Sequence, residues 1–175
     1  MSFLDKLFSK ENPNAVMQPL YDAVIREGRR IFWYEEGGVP DSLDGRFDMI
    51  AAVFSLVLIR LEDDEASNQH ASWLTELFIT DMDGQLRQSG IGDMVVGKHV
   101  KRMMGALGGR IGAYRESMDN RGQLVEALKR NLYRGEEPDG KGADFVASHL
   151  QRFHTDLANT SIANIISGQI PEIAK

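Results

Sequence analysis

Gly92-Asp93-Met94-Val95-Val96-Gly97-Lys98-His99 follows the spacing of a phosphate-binding loop, G-x-x-x-x-G-K-[ST], up to its last position. That position supplies the hydroxyl that binds magnesium, and imidazole is a poor replacement for a hard oxygen ligand. The motif also needs a buried strand just before it. Here Gln85-Leu86-Arg87-Gln88-Ser89 is polar and closes a helical pattern. The segment is therefore expected to start a helix, with Gly90 and Gly92 making the turn and Asp93 at the electropositive end. Asp81-Met82-Asp83-Gly84 hints at a calcium loop, but its glycine falls at the fourth position instead of the sixth and no acid stands at the twelfth. Its carboxylates fit a polar helix face, with Arg87 four residues beyond Asp83 as a partner. None of His70, His99, His149 and His154 is paired at i, i+4, so no two share a helix face as metal ligands do, and surface or cap positions are expected. No G-x-S-x-G elbow occurs. With no cysteine, disulfides, thiolate metal sites and cysteine nucleophiles are excluded. No catalytic constellation emerges, and neither a metal nor another cofactor is expected.

The elements carrying these residues follow a period of 3.6, with almost no period-2 alternation. Leu20, Val24, Ile31 and Phe32 predict a first long helix, opening near Pro13 or Pro19 and ending near Gly37-Gly38. A second spans about Leu43 to Glu62. Its stripe is Phe47, Ile50, Phe54, Val57 and Leu61, and Met49, Val53 and Leu56 fill its other sides, which suits the centre of a core. A third, about Asn68 to Gln88, aligns Trp73, Leu77, Phe78, Met82 and Leu86. A fourth, about Asp93 to Ser117, carries Val96, Val100, Met103, Met104, Leu107, Ile111 and Tyr114. A fifth holds Leu124, Val125, Leu128 and Leu132. After the linker Gly135–Gly140, Val146, Leu150, Phe153 and Leu157 line a sixth, and Ile162, Ile165 and Ile166 extend it or form a seventh. The expected fold is all-α, a single-domain bundle of six to seven helices with short connections. Residues 1–12 read as a short amphipathic segment, 13–135 as the helical core and 136–175 as C-terminal helices packed on it.

The chain has 175 residues, enough for one domain with its own core. Its net charge of −6 argues against bulk binding of nucleic-acid backbones. The longest apolar run, Met49 to Ile59, is about half the roughly 20 residues a membrane span requires. Contact with a membrane is thus expected to be peripheral at most.

The fourth helix holds two features that the core pattern leaves over. Gly97, Gly105, Gly108, Gly109 and Gly112 lie within it, each costing roughly 1 kcal/mol against alanine. Gly105 with Gly109, and Gly108 with Gly112, have the small-x-x-x-small spacing that lets two backbones approach closely. Tight packing on a helix of the same chain is the favoured account. A smooth strip for a partner's transmembrane helix is the other. Lys98, Lys101, Arg102, Arg110 and Arg115 make the same helix the main basic stretch, a solvated face or a docking surface for an anionic partner. Eight methionines add unbranched thioethers, which adapt to varied apolar surfaces.

Several blocks, in order, resemble the ubiquinol–cytochrome c chaperone family over about residues 21–135. They are Trp33-Tyr34-Glu35-Glu36-Gly37-Gly38-Val39-Pro40-Asp41 running on to Asp44-Gly45-Arg46-Phe47-Asp48-Met49; Phe78-Ile79-Thr80-Asp81-Met82-Asp83 with Leu86-Arg87; Gly90-Ile91-Gly92-Asp93 with Val96-Gly97-Lys98 and Val100-Lys101-Arg102-Met103; and Gly109-Arg110, Ala113-Tyr114 and Leu128 to Tyr133. The resemblance implies a non-catalytic chaperone that binds newly made cytochrome b and assists its assembly into the bc1 complex. It implies a bacterial-type member in the cytoplasm, near the inner membrane, with a ribosome contact or a second assembly factor as further partners. The matching positions make a candidate partner surface: Trp33, Arg46, Asp48, Phe78, Asp81, Asp83, Arg87, Gly97, Lys98, Lys101, Arg102, Met103, Gly105 and Gly109. A groove bordered by the fourth helix and the ends of the second and third is expected there. The rival readings are a haem or quinone carrier using His99, Met103 or Met104 as ligand, and a general helical peptide-binding adaptor.

Overall fold

The densest apolar stretch of the chain forms the helix around which the others are arranged. In order, the helices are α1 (Gln18–Gly28, entered through the 3-10 turn Pro13–Met17), α2 (Phe32–Glu35), α3 (Leu43–Glu62), α4 (Asn68–Gln88), α5 (Asp93–Ser117), α6 (Arg121–Asn131), α7 (Gly142–Ala158) and α8 (Ile162–Ile166). The structure is a computed structural model describing residues 13–88, 93–136 and 140–173. The described residues are all-α and include no strand. The amphipathic segment expected at residues 1–12 lies outside them.

Every residue of α3 from Asp48 to Ile59 is buried, and α1, α4, α5 and α7 all pack against this helix. It starts where Ser42 leaves helical geometry and its hydroxyl accepts from the Gly45 amide at 3.1 Å. The bounds of α3, α4 and α5 coincide with the spans the periodicity predicts. No helix among the described residues is long and apolar enough to cross a membrane.

The first helix does not run on to Gly37 as expected; it breaks after Gly28. A Cβ on Gly28 would stand 2.8 Å from the Cα of Ile50, so α1 meets α3 backbone to backbone there. Side chains that follow help to satisfy the carbonyls at its end: the Trp33 indole donates to Glu27 O at 3.0 Å, alongside the Arg30 amide, and the Tyr34 hydroxyl donates to Gly28 O at 2.8 Å. Those bonds hold α2 folded back as a separate turn. The isoleucines near the C-terminus likewise form a separate helix, α8, which Ser161 caps through the Asn164 amide at 3.3 Å. α7 packs on α6 and α3 while α8 reaches α1, and Arg30 Nη1 donates to the Ile173 carbonyl. The C-terminal stretch is thereby closed against the first helix.

Candidate partner-binding surface

α5 has two unlike faces. Leu107, Arg110, Tyr114 and Ser117 are buried, whereas Gly97, Lys98, Lys101, Arg102, Gly105, Gly108 and Gly109 are exposed. Met103, Met104 and Gly112 are half-buried between them. The favoured account of the glycines fails here. A Cβ built on any of Gly97, Gly105, Gly108, Gly109 or Gly112 meets nothing within 4 Å, so no helix of the described chain uses their smallness. The outward face of α5 is backbone with little side-chain cover, edged at its N-terminal end by the two lysines and Arg102. One turn beyond Gly109 lies Ala113, which opens a groove of about 510 Å³ between α5 and α6; Gly122 and Ala127 help line it, with Glu116, Glu126 and Arg130 at its rim. This concavity lies between α5 and α6 and is distinct from the groove expected at the ends of α3 and α4. Those helices pack on the buried side of α5, as the Arg110–Asp48 pair shows for α3.

The basic stretch of α5 is not one face either. Arg110 is 8% exposed and donates to Asp48 Oδ1 at 2.5 Å, with its guanidinium 5.8 Å from the Phe47 ring centre. Arg134, held at φ 53° just past α6, donates to Asp48 Oδ2 at 2.8 Å and to Asp44 at 2.7 Å. Burial pushes the Asp48 carboxyl above the usual carboxylate range, against the downward pull of Arg134 and Arg110. Arg115 pairs with Glu62. Lys98, Lys101 and Arg102 are exposed and form an outward basic edge.

The other candidates divide by burial. Trp33, Asp48 and Phe78 are 0% exposed and offer no surface to a partner. Trp33 closes the end of α1, Phe78 stacks 4.6 Å from Phe54 in the core, and Asp48 ties α3 to α5 and the segment after α6. Arg46 is exposed and pairs with Asp41 at 2.6 Å. Asp83 and Arg87 form the expected i, i+4 pair at 2.6 Å. Asp81 accepts from Tyr21 at 2.7 Å and from Gln85 at 2.9 Å. His149 departs from its expected surface position: it is half-buried, its ring 4.2 Å from that of Phe145 and its Nδ1 2.8 Å from the Phe145 carbonyl. Lys98 of the loop-like motif stands exposed on α5, and the preceding element is a helix.

Two charged residues inside the fold were missed by the pattern. Glu27 falls three residues after Val24 on the apolar stripe of α1, and Arg110 lies between Leu107 and Tyr114 on that of α5, so both carried a positional signal. Arg134 carried none, since only the backbone turn after α6 aims it at Asp48.

A family model described as ubiquinol-cytochrome C chaperone matches residues 35–173. The crystal structure of the Cbp3 homolog from Brucella abortus is similar, with 27% sequence identity, a TM-score of 0.81, and 98% of this chain and 97% of that one covered. Among curated proteins, none matches the chain.

Proposed function

This chain belongs to the ubiquinol-cytochrome C chaperone family, and from that premise we propose that it binds newly made cytochrome b and assists its assembly into the bc1 complex, with the glycine face of α5 as the contact. It works by holding a polypeptide rather than transforming a substrate, on the cytoplasmic side near the inner membrane. The observation that carries this reading is the open space in front of five glycines within one 25-residue helix. Interior glycines weaken a helix, and nothing in the described chain compensates. Newly made cytochrome b presents apolar helices until partner subunits cover them. A bare backbone strip accepts such a helix at close range, as small-x-x-x-small seams do. The half-buried Met103 and Met104 beside the strip can adapt to its side chains.

Gly105→Leu/Gly109→Leu tests the placement. There is room for both side chains in the free protein, so the variant folds with unchanged helicity and loses capture of cytochrome b in a crosslinking pull-down. Full-strength capture by the folded variant would exclude this face. Absence of cytochrome b from the unmodified protein's pull-down would exclude the client itself.

A further inference from the structure

On the far side of α1, a second groove of about 480 Å³ runs between α1 and α4. Its charges are arranged unusually for an acidic protein. Asp22 and Arg26 stand at i, i+4, the spacing at which a helix ordinarily makes an ion pair. They make none: Asp22 instead accepts from the Gln18 amide at 2.8 Å. Across the groove, Asp81 accepts from Tyr21 at 2.7 Å and from Gln85 at 2.9 Å. Both carboxylates are thus satisfied by neutral donors. The guanidinium groups of Arg26 and Arg29, both exposed, make no hydrogen bond or ion pair among the described residues. The buried ring of Tyr21 and the half-buried Ile25 also line the groove, among otherwise polar side chains. The α1 wall of the groove precedes the span matched by the family model, and its α4 wall lies within that span.

We infer that the α1–α4 groove binds an acidic peptide segment of a partner protein, with Arg26 and Arg29 each engaging a carboxylate and an apolar side chain resting on Tyr21 and Ile25. Arg26 lies in the last turn of α1 and Arg29 is the residue that ends it, so two carboxylates on neighbouring positions of one short segment can reach them. A guanidinium presents a planar fork to a carboxylate and is only weakly hydrated, so it suits such a contact better than an ammonium would. Charge complementarity chooses peptide over nucleic acid. A phosphate backbone carries continuous negative charge and would lie against Asp22 and Asp81, whereas discrete carboxylates can be placed on the two arginines alone.

The probe is a labelled peptide, Glu-Leu-Glu-Glu-Leu-Glu, titrated with the full chain and read by fluorescence anisotropy at low salt. Binding is expected to weaken about tenfold in Arg26→Glu/Arg29→Glu, where two attractive contacts become repulsive, and to weaken as salt is raised. Both positions are exposed, so the variant keeps its circular dichroism spectrum. Asp22→Asn is expected to bind at least as tightly as the unmodified chain. Gly105→Leu/Gly109→Leu should leave the peptide unaffected, which separates this groove from the α5 face. No binding by the unmodified chain, or equal affinity in the charge-reversed variant, would overturn the inference. So would a single-stranded RNA that binds, and loses binding in that variant, where the peptide does not.

Discussion

Tyr114 carries a hydroxyl that is buried without a hydrogen-bond partner among the described residues, on the same helix face as the buried Arg110, whose Nε is also unpartnered there. An unmet buried hydroxyl costs about 1–3 kcal/mol of desolvation with nothing returned. Tyr114→Phe is therefore expected to be neutral or stabilising by up to about 1 kcal/mol, measured as a shift in the urea midpoint at unchanged slope. Burial also holds this phenol protonated well above its ordinary range. The sign follows: above about pH 10 the unfolded chain releases a proton that the folded chain retains, so this contribution to stability is present below that pH and lost as pH rises beyond it. The alkaline limb of the stability profile should be shallower in Tyr114→Phe. What persists belongs to Tyr21, raised by burial first and by its bond to Asp81 second, and to Tyr34, raised by burial. Neither effect was legible from residue type, because a tyrosine on an apolar stripe gives no sign of whether its hydroxyl finds an acceptor.

At the scale of the element, α5 was as legible in extent as α3 and α4, and the least legible in meaning. Its bounds followed from the apolar spacing of Leu107, Ile111 and Tyr114 and from the glycine turn ahead of it. The purpose of its glycines did not, because small-x-x-x-small spacing is equally consistent with packing inside the chain and with packing on another chain. The two accounts predict opposite effects of a methyl group. With nothing within 4 Å of either position, Gly105→Ala and Gly109→Ala should each stabilise the protein by about 0.5–1 kcal/mol, through helix propensity alone. In a domain of this size that is a rise of a few degrees in the unfolding temperature, roughly 2–4 °C per kcal/mol. A fall would mean that a neighbour does press on this face. A gain in stability together with weaker capture of cytochrome b is the signature of a face kept bare for a partner.

For the whole molecule, closure depends on glycines that have no space in front of them. A Cβ on Gly142, the first residue of α7, would collide with the Gly37 carbonyl, which also accepts the Tyr133 hydroxyl at 2.5 Å. One close approach thus joins the turn after α2, the end of α6 and the start of α7. Gly142→Ala should destabilise by about 1–3 kcal/mol, the usual cost of forcing an extra carbon into a packed site, as read from the thermal midpoint. A rise of the kind expected at Gly105 would mean that α7 does not dock as described. Nothing local marks this role: Gly37 and Gly142 are more than a hundred positions apart in sequence, Gly37 reads there as a helix stop, and Gly142 carries no signal of its own.

The helical class, the ends of the longest helices and the central place of α3 can all be read from the order of residues, because helical periodicity and capping are local and every turn repeats the signal. Which glycines are crowded and which are bare emerges only when the helices are packed together. The tertiary structure likewise decided that Asp48 and Arg110 face inward, that Lys98, Lys101 and Arg102 face outward, and that the side chains of Arg26 and Arg29 have no ion pair among the described residues. Each of these depends on what a distant segment places, or fails to place, within a few ångströms of the residue, and nothing in its immediate neighbours in the chain encodes that.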